Sequence, residues 1–189
     1  MISVSRSTLI FHHAFPPSGV ALRISKAGLK DLPQVLDLIQ AVIKNMTARG
    51  NEQWNEQYPT RDVFEKDLEQ KNLYVMKDHG NIVGIMVISQ EQEPQYDPVP
   101  WMDKNGRYLV GHRIAVLPGQ HRKGIADKFM DFFLDHARKN DYTSIRLDTY
   151  HKNDRSQALM EKYGFKRLRG HINFRECTGP FYCYELVLL

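Results

Sequence analysis

Cysteine is scarce in this sequence, and long apolar runs are missing. Only Cys177 and Cys183 occur among the 189 residues, and although such a pair could close a loop, reduced thiols are the expectation in the cytosol. No segment approaches the roughly 18 apolar residues that a membrane helix requires. The N-terminal segment also lacks the apolar core and small-residue cleavage site of a signal peptide. We therefore expect a cytoplasmic protein that does not enter a membrane.

Metal-ligand spacing and clustered charge are also missing. No group of Cys, His and carboxylate residues has the spacing of a metal site, and the doublet His12-His13 lies in an irregular segment. The net charge of +4 is modest, and the basic residues are scattered rather than interleaved with aromatic residues. The sequence thus predicts no structural metal and no nucleic-acid partner. An anionic small molecule needs only a local positive potential.

The length and the turn signals predict one domain with an N-terminal appendage. A chain of 189 residues usually forms a single domain. Pro16, Pro17 and Gly19 favour a turn or linker, so we interpret residues 1–20 as an extension and residues 21–189 as the domain.

The periodicity of apolar residues predicts a mixed α/β architecture. Asp31 and Thr60 are expected to cap two helices, and a third helix should begin at Ile125. A hairpin through Asp78-His79-Gly80-Asn81 excludes a purely parallel sheet. The predicted strands are 20–25, 73–76, 82–88, 108–116, 144–150, 165–169 and 182–188, and a fourth helix is predicted at 156–162.

The most informative segment runs from Ile114 to Ala126. It leads from an apolar strand through a basic, glycine-marked turn into a helix whose apolar residues recur at helical spacing. Such a turn leaves the first backbone N–H groups of the helix unpaired, and Arg122 and Lys123 add positive charge. The segment is therefore a candidate phosphate site, although an ordinary strand-turn-helix connection with a surface basic pair has the same pattern.

Motifs elsewhere in the chain connect this segment to a known family. Their order and spacing resemble those of the GCN5-related N-acetyltransferase (GNAT) family, in particular a bacterial subgroup, over about residues 22–189. The resemblance implies a mostly antiparallel sheet of about six to seven strands, splayed between strands 4 and 5, with about four flanking helices. The motifs are Val116-x-Pro118, Lys123-Gly124-Ile125-Ala126, Asn153 ahead of Glu161-Lys162-Tyr163-Gly164-Phe165, Gln53-Trp54, Tyr58-Pro59 and the segment from Pro180 to Glu185.

The resemblance also implies an activity and a set of site residues. The activity is N-acetyl transfer from acetyl-CoA to a primary amine, by direct attack within a ternary complex. Trp54 and Tyr58, together with the segment from 174 to 181, would frame the acceptor pocket. The residues implied for the CoA arm are Ile114 and Val116 through their backbone groups, His121, Arg122, Lys123, Gly124 and Ala126 at the pyrophosphate, and Asn153.

The sequence departs from the family where a general acid is expected. Met160 matches the position of the usual tyrosine, and a thioether cannot donate a proton. Tyr163 is the first substitute, although a core aromatic residue has the same pattern. His112 is a candidate general base, and Tyr150 and His151 are further candidates.

The acceptor is a small-molecule or peptide amine whose identity the sequence leaves open. Glu52, Glu56 and Asp148 are carboxylates that could face a cationic amine, although most such residues are solvated. The alternative is a catalytically weak or silent acyl-CoA-binding or interaction module of the same fold, which Met160 favours. The apolar final strand at 182–189 is expected at a sheet edge, where it would allow a homodimer.

Overall fold

The computed structural model describes residues 22–174 and 177–188, so the predicted extension at residues 1–20 lies outside the described part. Seven strands and four α-helices occur along these residues. The strands are β1 (Arg23–Lys26), β2 (Leu73–Asp78), β3 (Asn81–Ser89), β4 (Tyr108–Val116), β5 (Ser144–Tyr150), β6 (Lys166–Arg167) and β7 (Phe181–Val187). The helices are α1 (Leu32–Thr47), α2 (Arg61–Glu69), α3 (Ile125–Lys139) and α4 (Asp154–Lys162), and single 3-10 turns cover Leu29–Asp31 and Pro94–Tyr96.

The seven strands form one sheet in the order β1-β2-β3-β4-β5-β7-β6. Every neighbouring pair is antiparallel except β4 and β5, which confirms the predicted mixed sheet and its β2–β3 hairpin. The prediction that the final strand lies at an edge is wrong. The short strand β6 pairs antiparallel with β7 and places it inside the sheet, next to β5.

Helices cover both faces of the sheet. Tyr74 and Met76 of β2 pack in one core with Phe129 of α3, whereas Leu73 and Val75 pack in a second core with α1. Because successive side chains of a strand point to opposite faces, the two cores lie on opposite sides. The apolar face that periodicity predicts for α1 is buried at Val35, Leu38, Ile39, Val42 and Ile43. Leu36, predicted on the same face, is only partly buried.

The predicted helix caps occupy their positions with different partners. Asp31 is the N-cap residue of α1, but its carboxylate accepts a hydrogen bond from the Gly28 backbone N–H and pairs with Lys77 Nζ at 2.7 Å. Thr60 is the N-cap residue of α2 without a side-chain hydrogen bond. Asn153 caps α4, where its Oδ1 accepts from the Ser156 N–H at 3.2 Å. The cap explains why α4 begins at Asp154 rather than at the predicted position 156.

Strands β4 and β5 separate along their length, as the resemblance predicted. Their parallel ladder contains only Tyr108–Ser144, Leu109–Ile145 and Val110–Arg146. Beyond these pairs β4 continues against β3, and β5 continues against β7. The separation opens a wedge at the carboxyl ends of the two strands, where ligands of α/β proteins commonly bind.

Several smaller features complete the fold. Strand β6 is two residues long, shorter than the predicted 165–169. Cys177 and Cys183 form no disulfide. Within the described ranges, no helix has the length and apolar character needed to cross a membrane. The same ranges contain no group of three or more His, Cys, Asp or Glu residues arranged to hold a metal ion.

Candidate active site

The turn between β4 and α3 has a backbone that can approach an anion closely. Gly124 is the N-cap residue of α3 with φ at 73°, and a Cβ atom built there would meet nothing within 4 Å. Arg122 also has a positive φ of 65°, which is costly for a residue with a side chain. The N–H groups at the start of α3 carry the partial positive charge of the helix dipole. The turn therefore leaves open space in front of a positive helix end.

Arginine side chains supply the charge around this turn. Burial, reinforced by nearby Arg155 and Arg49, lowers the pKa of His121. The imidazole is accordingly neutral near pH 7, and Arg155 Nη1 lies 3.4 Å from its Nδ1. The positive potential comes from Arg122, Arg49 and Arg155, all of which line the same cavity.

A cavity of about 880 Å³ joins this turn to the wedge between β4 and β5. That volume is typical of a small-molecule site. Lys123 is absent from the residues that line it. Seven residues predicted to bind the cofactor do line it: Ile114, Val116, His121, Arg122, Gly124, Ala126 and Asn153.

Asn153 connects two walls of the cavity. While its side-chain oxygen caps α4, its Nδ2 donates to Gln53 Oε1 at 2.7 Å. Gln53 belongs to the loop between α1 and α2 that also carries Trp54 and Tyr58. Trp54 and Tyr58 line the cavity as well, so the loop predicted to frame the acceptor borders the same space as the basic turn.

Met160 lines the cavity, and Tyr163 does not. Met160 is buried on α4, so the position of the usual tyrosine faces the site without a proton donor. The hydroxyl of Tyr163 instead donates toward α3, with the Asp127 carbonyl oxygen and Asp131 Oδ1 each at 3.0 Å. Burial and the hydrogen bond to Asp131 raise the pKa of Tyr163. The geometry therefore does not favour a catalytic role for this residue.

His112 lines the cavity as a neutral imidazole. Burial, with the nearby Arg113 charge, lowers its pKa to about 4. Its Nε2 lies 3.2 Å from the Glu91 carbonyl oxygen. An imidazole with so low a pKa is a weak proton acceptor at neutral pH.

Arg113 lies at an irregularity of β4 and connects two cavity residues. Ile85 is paired with Ala115 and Val87 with His112, so two β4 residues stand opposite one β3 residue, and Arg113 has φ at 49°. Its Nε and Nη2 donate to the two carboxylate oxygens of Asp67, at 3.0 and 2.6 Å.

The remaining guanidinium nitrogen, Nη1, donates to the Tyr58 hydroxyl at 2.8 Å. This hydroxyl donates to no acceptor among the residues that the structure describes. Burial raises the pKa of Tyr58, although Arg113 opposes the shift, so the phenol keeps its proton at neutral pH. Tyr58 is therefore a cavity tyrosine with an uncommitted proton.

Asp148 of β5 forms the acidic end of the cavity. Its Oδ1 accepts a hydrogen bond from the Tyr96 hydroxyl at 2.5 Å. Burial raises the pKa of Asp148 to about 6, an effect that Tyr96 and Arg113 partly offset. Phe174, Cys177 and Phe181 line the cavity too, whereas Glu52, Glu56, Tyr150 and His151 are not among its lining residues.

Sequence reasoning missed Arg113, Asp67 and Tyr96. A basic residue inside an apolar strand is the only local signal for Arg113. Tyr96 lies in the loop between β3 and β4 that sequence patterns treat as surface, yet it is buried and hydrogen-bonded to β5. Both contacts join residues about fifty positions apart in the chain, 46 for Asp67–Arg113 and 52 for Tyr96–Asp148.

Comparison with known proteins identifies the family. The family model described as the acetyltransferase (GNAT) family matches residues 39–165. The chain belongs to the GNAT acetyltransferase family. No curated protein matches the sequence.

Solved structures of GNAT acetyltransferases have the same fold. One from Streptococcus agalactiae superposes with a TM-score of 0.77 at 24% identity, covering 89% of this chain and 96% of that chain. An N-acetyltransferase from Staphylococcus aureus superposes with a TM-score of 0.65 at 20% identity, covering 88% of this chain and 98% of that chain. The ribosomal-protein-S18-alanine N-acetyltransferase from Escherichia coli superposes with a TM-score of 0.62 at 15% identity, covering 88% of this chain and 94% of that chain. These likenesses establish the GNAT fold for this chain.

Proposed function

We propose that the protein is an acetyl-CoA-dependent N-acetyltransferase that acetylates a primary amine by direct attack within a ternary complex. The observation that carries the proposal is the cavity itself. It connects a basic helix N-terminus to a carboxylate, Asp148, through a wedge between two strands. A polyanionic cofactor and a cationic amine require opposite charges at two places in one space.

The residues around the basic end fit acetyl-CoA. Beyond Val110, β4 has no ladder partner on its β5 side, so the Ile114 backbone is available to the pantetheine amides. The Val116 backbone lies on the same strand and also interacts with the His121 ring. The pyrophosphate would be bound at the turn by Arg122 and the N–H groups that follow Gly124. When bound, acetyl-CoA supplies an activated thioester and a tolerable thiolate leaving group, since thiols have a pKa of about 8.5.

Two cavity residues suit the proton transfers. Asp148, with its pKa raised to about 6, is ionised at pH 7 and can accept the proton that the attacking amine must lose. Tyr58 has a proton to donate, whereas the proton of Tyr96 is committed to Asp148. We assign Asp148 as general base and Tyr58 as general acid, in place of the tyrosine that Met160 replaces.

The two residues first proposed from the sequence are less suitable. His112 faces the cavity, but a pKa of about 4 makes it a poorer base than Asp148. Tyr163 directs its hydroxyl at α3 and not into the cavity. His112 remains a cavity residue that can orient the acceptor through its neutral ring.

A silent acyl-CoA-binding module is the second candidate, and Met160 is the observation that favours it. Thiol release separates the two candidates. Purified protein is incubated with acetyl-CoA and a panel of primary amines, free thiol is followed with time, and acetylated product is identified by mass spectrometry. Steady release that requires both substrates supports the enzyme. Acetyl-CoA binding without release for any amine supports the module.

A further inference from the structure

Asp148 differs from the buried carboxylates of the fold because it has no ion-pair partner among the residues that the structure describes. Asp31 pairs with Lys77, Asp67 with Arg113, and Glu185 with Arg146. Among the described residues, Asp148 receives one hydrogen bond, from Tyr96, and forms no ion pair. A desolvated carboxylate without a counter-ion is unfavourable, so a bound cation would stabilise it.

Gln95 offers a second acceptor at the same cavity. It precedes Tyr96 in the chain and lines the cavity. Its Oε1 atom is buried and has no hydrogen-bond partner among the residues that the structure describes. Buried acceptors are normally satisfied, so this oxygen is available to an N–H donor of a ligand. An ammonium group has three such donors.

Aromatic side chains line the same cavity as these two acceptors. Trp54, Tyr96 and Phe181 are buried and line the cavity, together with Tyr58 and Phe174. Such a wall favours an apolar or aromatic group on the ligand, as in other small-molecule sites.

Among the described residues, Arg113 is the cation whose charge acts on Asp148. Its three donor nitrogens are committed to Asp67 and Tyr58. The other described cations that line the cavity do not shift the pKa of Asp148; they are Arg49, Arg122, Lys152 and Arg155. A carboxylate attached next to the amine would therefore meet Asp148 without a compensating charge. Like charges in a desolvated pocket are strongly unfavourable.

From these contacts we propose that the acceptor is a small primary amine on an uncharged, apolar body, whose ammonium group binds Asp148 and Gln95. This inference rests on the proposed acetyltransferase function and specifies its substrate class. Amino acids with a free α-carboxylate are rejected. Peptide N-termini are also rejected, because the polar backbone does not match the aromatic wall.

The test uses phenethylamine as the probe and the full-length protein. Binding of CoA is measured first, and phenethylamine, L-phenylalanine and a short peptide with a free N-terminus are then titrated into CoA-saturated protein. The variants are Asp148→Asn, which keeps an acceptor for Tyr96, and Gln95→Leu. Asp97→Asn is the matched control, since this exposed carboxylate lies in the same segment as Tyr96 and outside the cavity.

We expect phenethylamine to bind at least about tenfold more tightly than L-phenylalanine or the peptide. Asp148→Asn and Gln95→Leu should each weaken the binding of phenethylamine without changing the affinity for CoA. The loss in Asp148→Asn should be about tenfold or more. Asp97→Asn should change neither affinity. Three results would overturn this inference and leave the proposed function standing. The first is unchanged phenethylamine affinity in Asp148→Asn, and the second is equal or tighter binding of L-phenylalanine or the peptide. The third is no amine binding to protein that holds CoA. Failure to bind CoA would overturn the proposed function and, with it, this inference.

Discussion

At the scale of single residues, two tyrosines in one cavity have opposite hydrogen-bonding roles. Tyr96 donates its proton to Asp148, and Tyr58 accepts from Arg113 and keeps its proton available. The difference follows from the neighbours, since a guanidinium can only donate and a carboxylate can only accept. Residue type alone therefore does not identify the acid.

Replacing Tyr58 with phenylalanine removes the proposed proton donor and leaves the aromatic wall in place. We expect kcat to fall by about 10²- to 10⁴-fold, with acetyl-CoA affinity unchanged, because protonation of the leaving thiolate is lost. Tyr163→Phe is the matched control, because that hydroxyl donates toward α3 outside the cavity. Steady-state kinetics of both variants check the assignment. Loss of turnover in Tyr163→Phe with full activity in Tyr58→Phe would assign the general acid to Tyr163 instead.

Asp148 should set the acid limb of the pH profile. Burial raises its pKa to about 6, while Tyr96, Tyr58, Arg113 and Cys183 are the titratable groups that interact with it. Below that pH the carboxyl group becomes neutral and loses both its attraction for ammonium and its capacity to accept a proton.

We therefore expect kcat/KM to decline as the pH falls through about 6. In Asp148→Asn, kcat/KM should be lower at every pH and should not show this decline. A pH series of initial rates on both proteins measures it. The same limb in the variant would assign the titration to another group.

At the scale of elements, the loop between β3 and β4 is held on the sheet by a buried ion pair. Glu185 of β7 accepts from Arg146 Nε at 3.2 Å and from the Met102 backbone N–H at 2.5 Å. Arg146 also donates to the Asp103 carbonyl oxygen and stacks on Tyr108. These contacts fix the loop that carries Gln95 and Tyr96 into the acceptor end.

Breaking this pair should destabilise the fold. Glu185→Ala leaves Arg146 buried without its counter-ion, so we expect the free energy of unfolding to fall by about 3–5 kcal/mol. Urea denaturation followed by circular dichroism measures the change. Glu161→Ala, an exposed carboxylate of α4, is the control and should change little. A loss below about 1 kcal/mol in Glu185→Ala would mean that the loop is held by other contacts.

Elements with local signals were predictable from the sequence. The helical spacing of Ile125, Phe129 and Phe133 predicted α3, and all three are buried. The basic, glycine-marked turn and the β2–β3 hairpin were predictable for the same reason, since neighbours along the chain determine them.

Features that depend on distant contacts were not predictable. The final strand was expected at an edge, because nothing in its own residues reveals that β6 turns back against it. Arg113 was missed because its partner Asp67 lies on another element. Tyr96 was missed in a loop whose polar composition hides one buried aromatic residue.

At the scale of the whole molecule, one cavity connects elements from both halves of the chain. The basic turn before α3, the N-terminus of α4, the loop after α1 and the parted strands β4 and β5 all border it. Arg122 lines it at the basic turn, and Asp148 lines it on β5. The central claim is that the basic end binds acetyl-CoA.

The most direct measurement of that claim is isothermal titration of acetyl-CoA into the wild-type protein, Gly124→Glu and Gly124→Gln. A side chain at position 124 enters the open space in front of α3, and a carboxylate there also repels the pyrophosphate. We predict micromolar binding to the wild type, weaker binding to Gly124→Gln and none to Gly124→Glu. No binding to the wild type at millimolar acetyl-CoA, or equal affinity in all three proteins, would contradict the account.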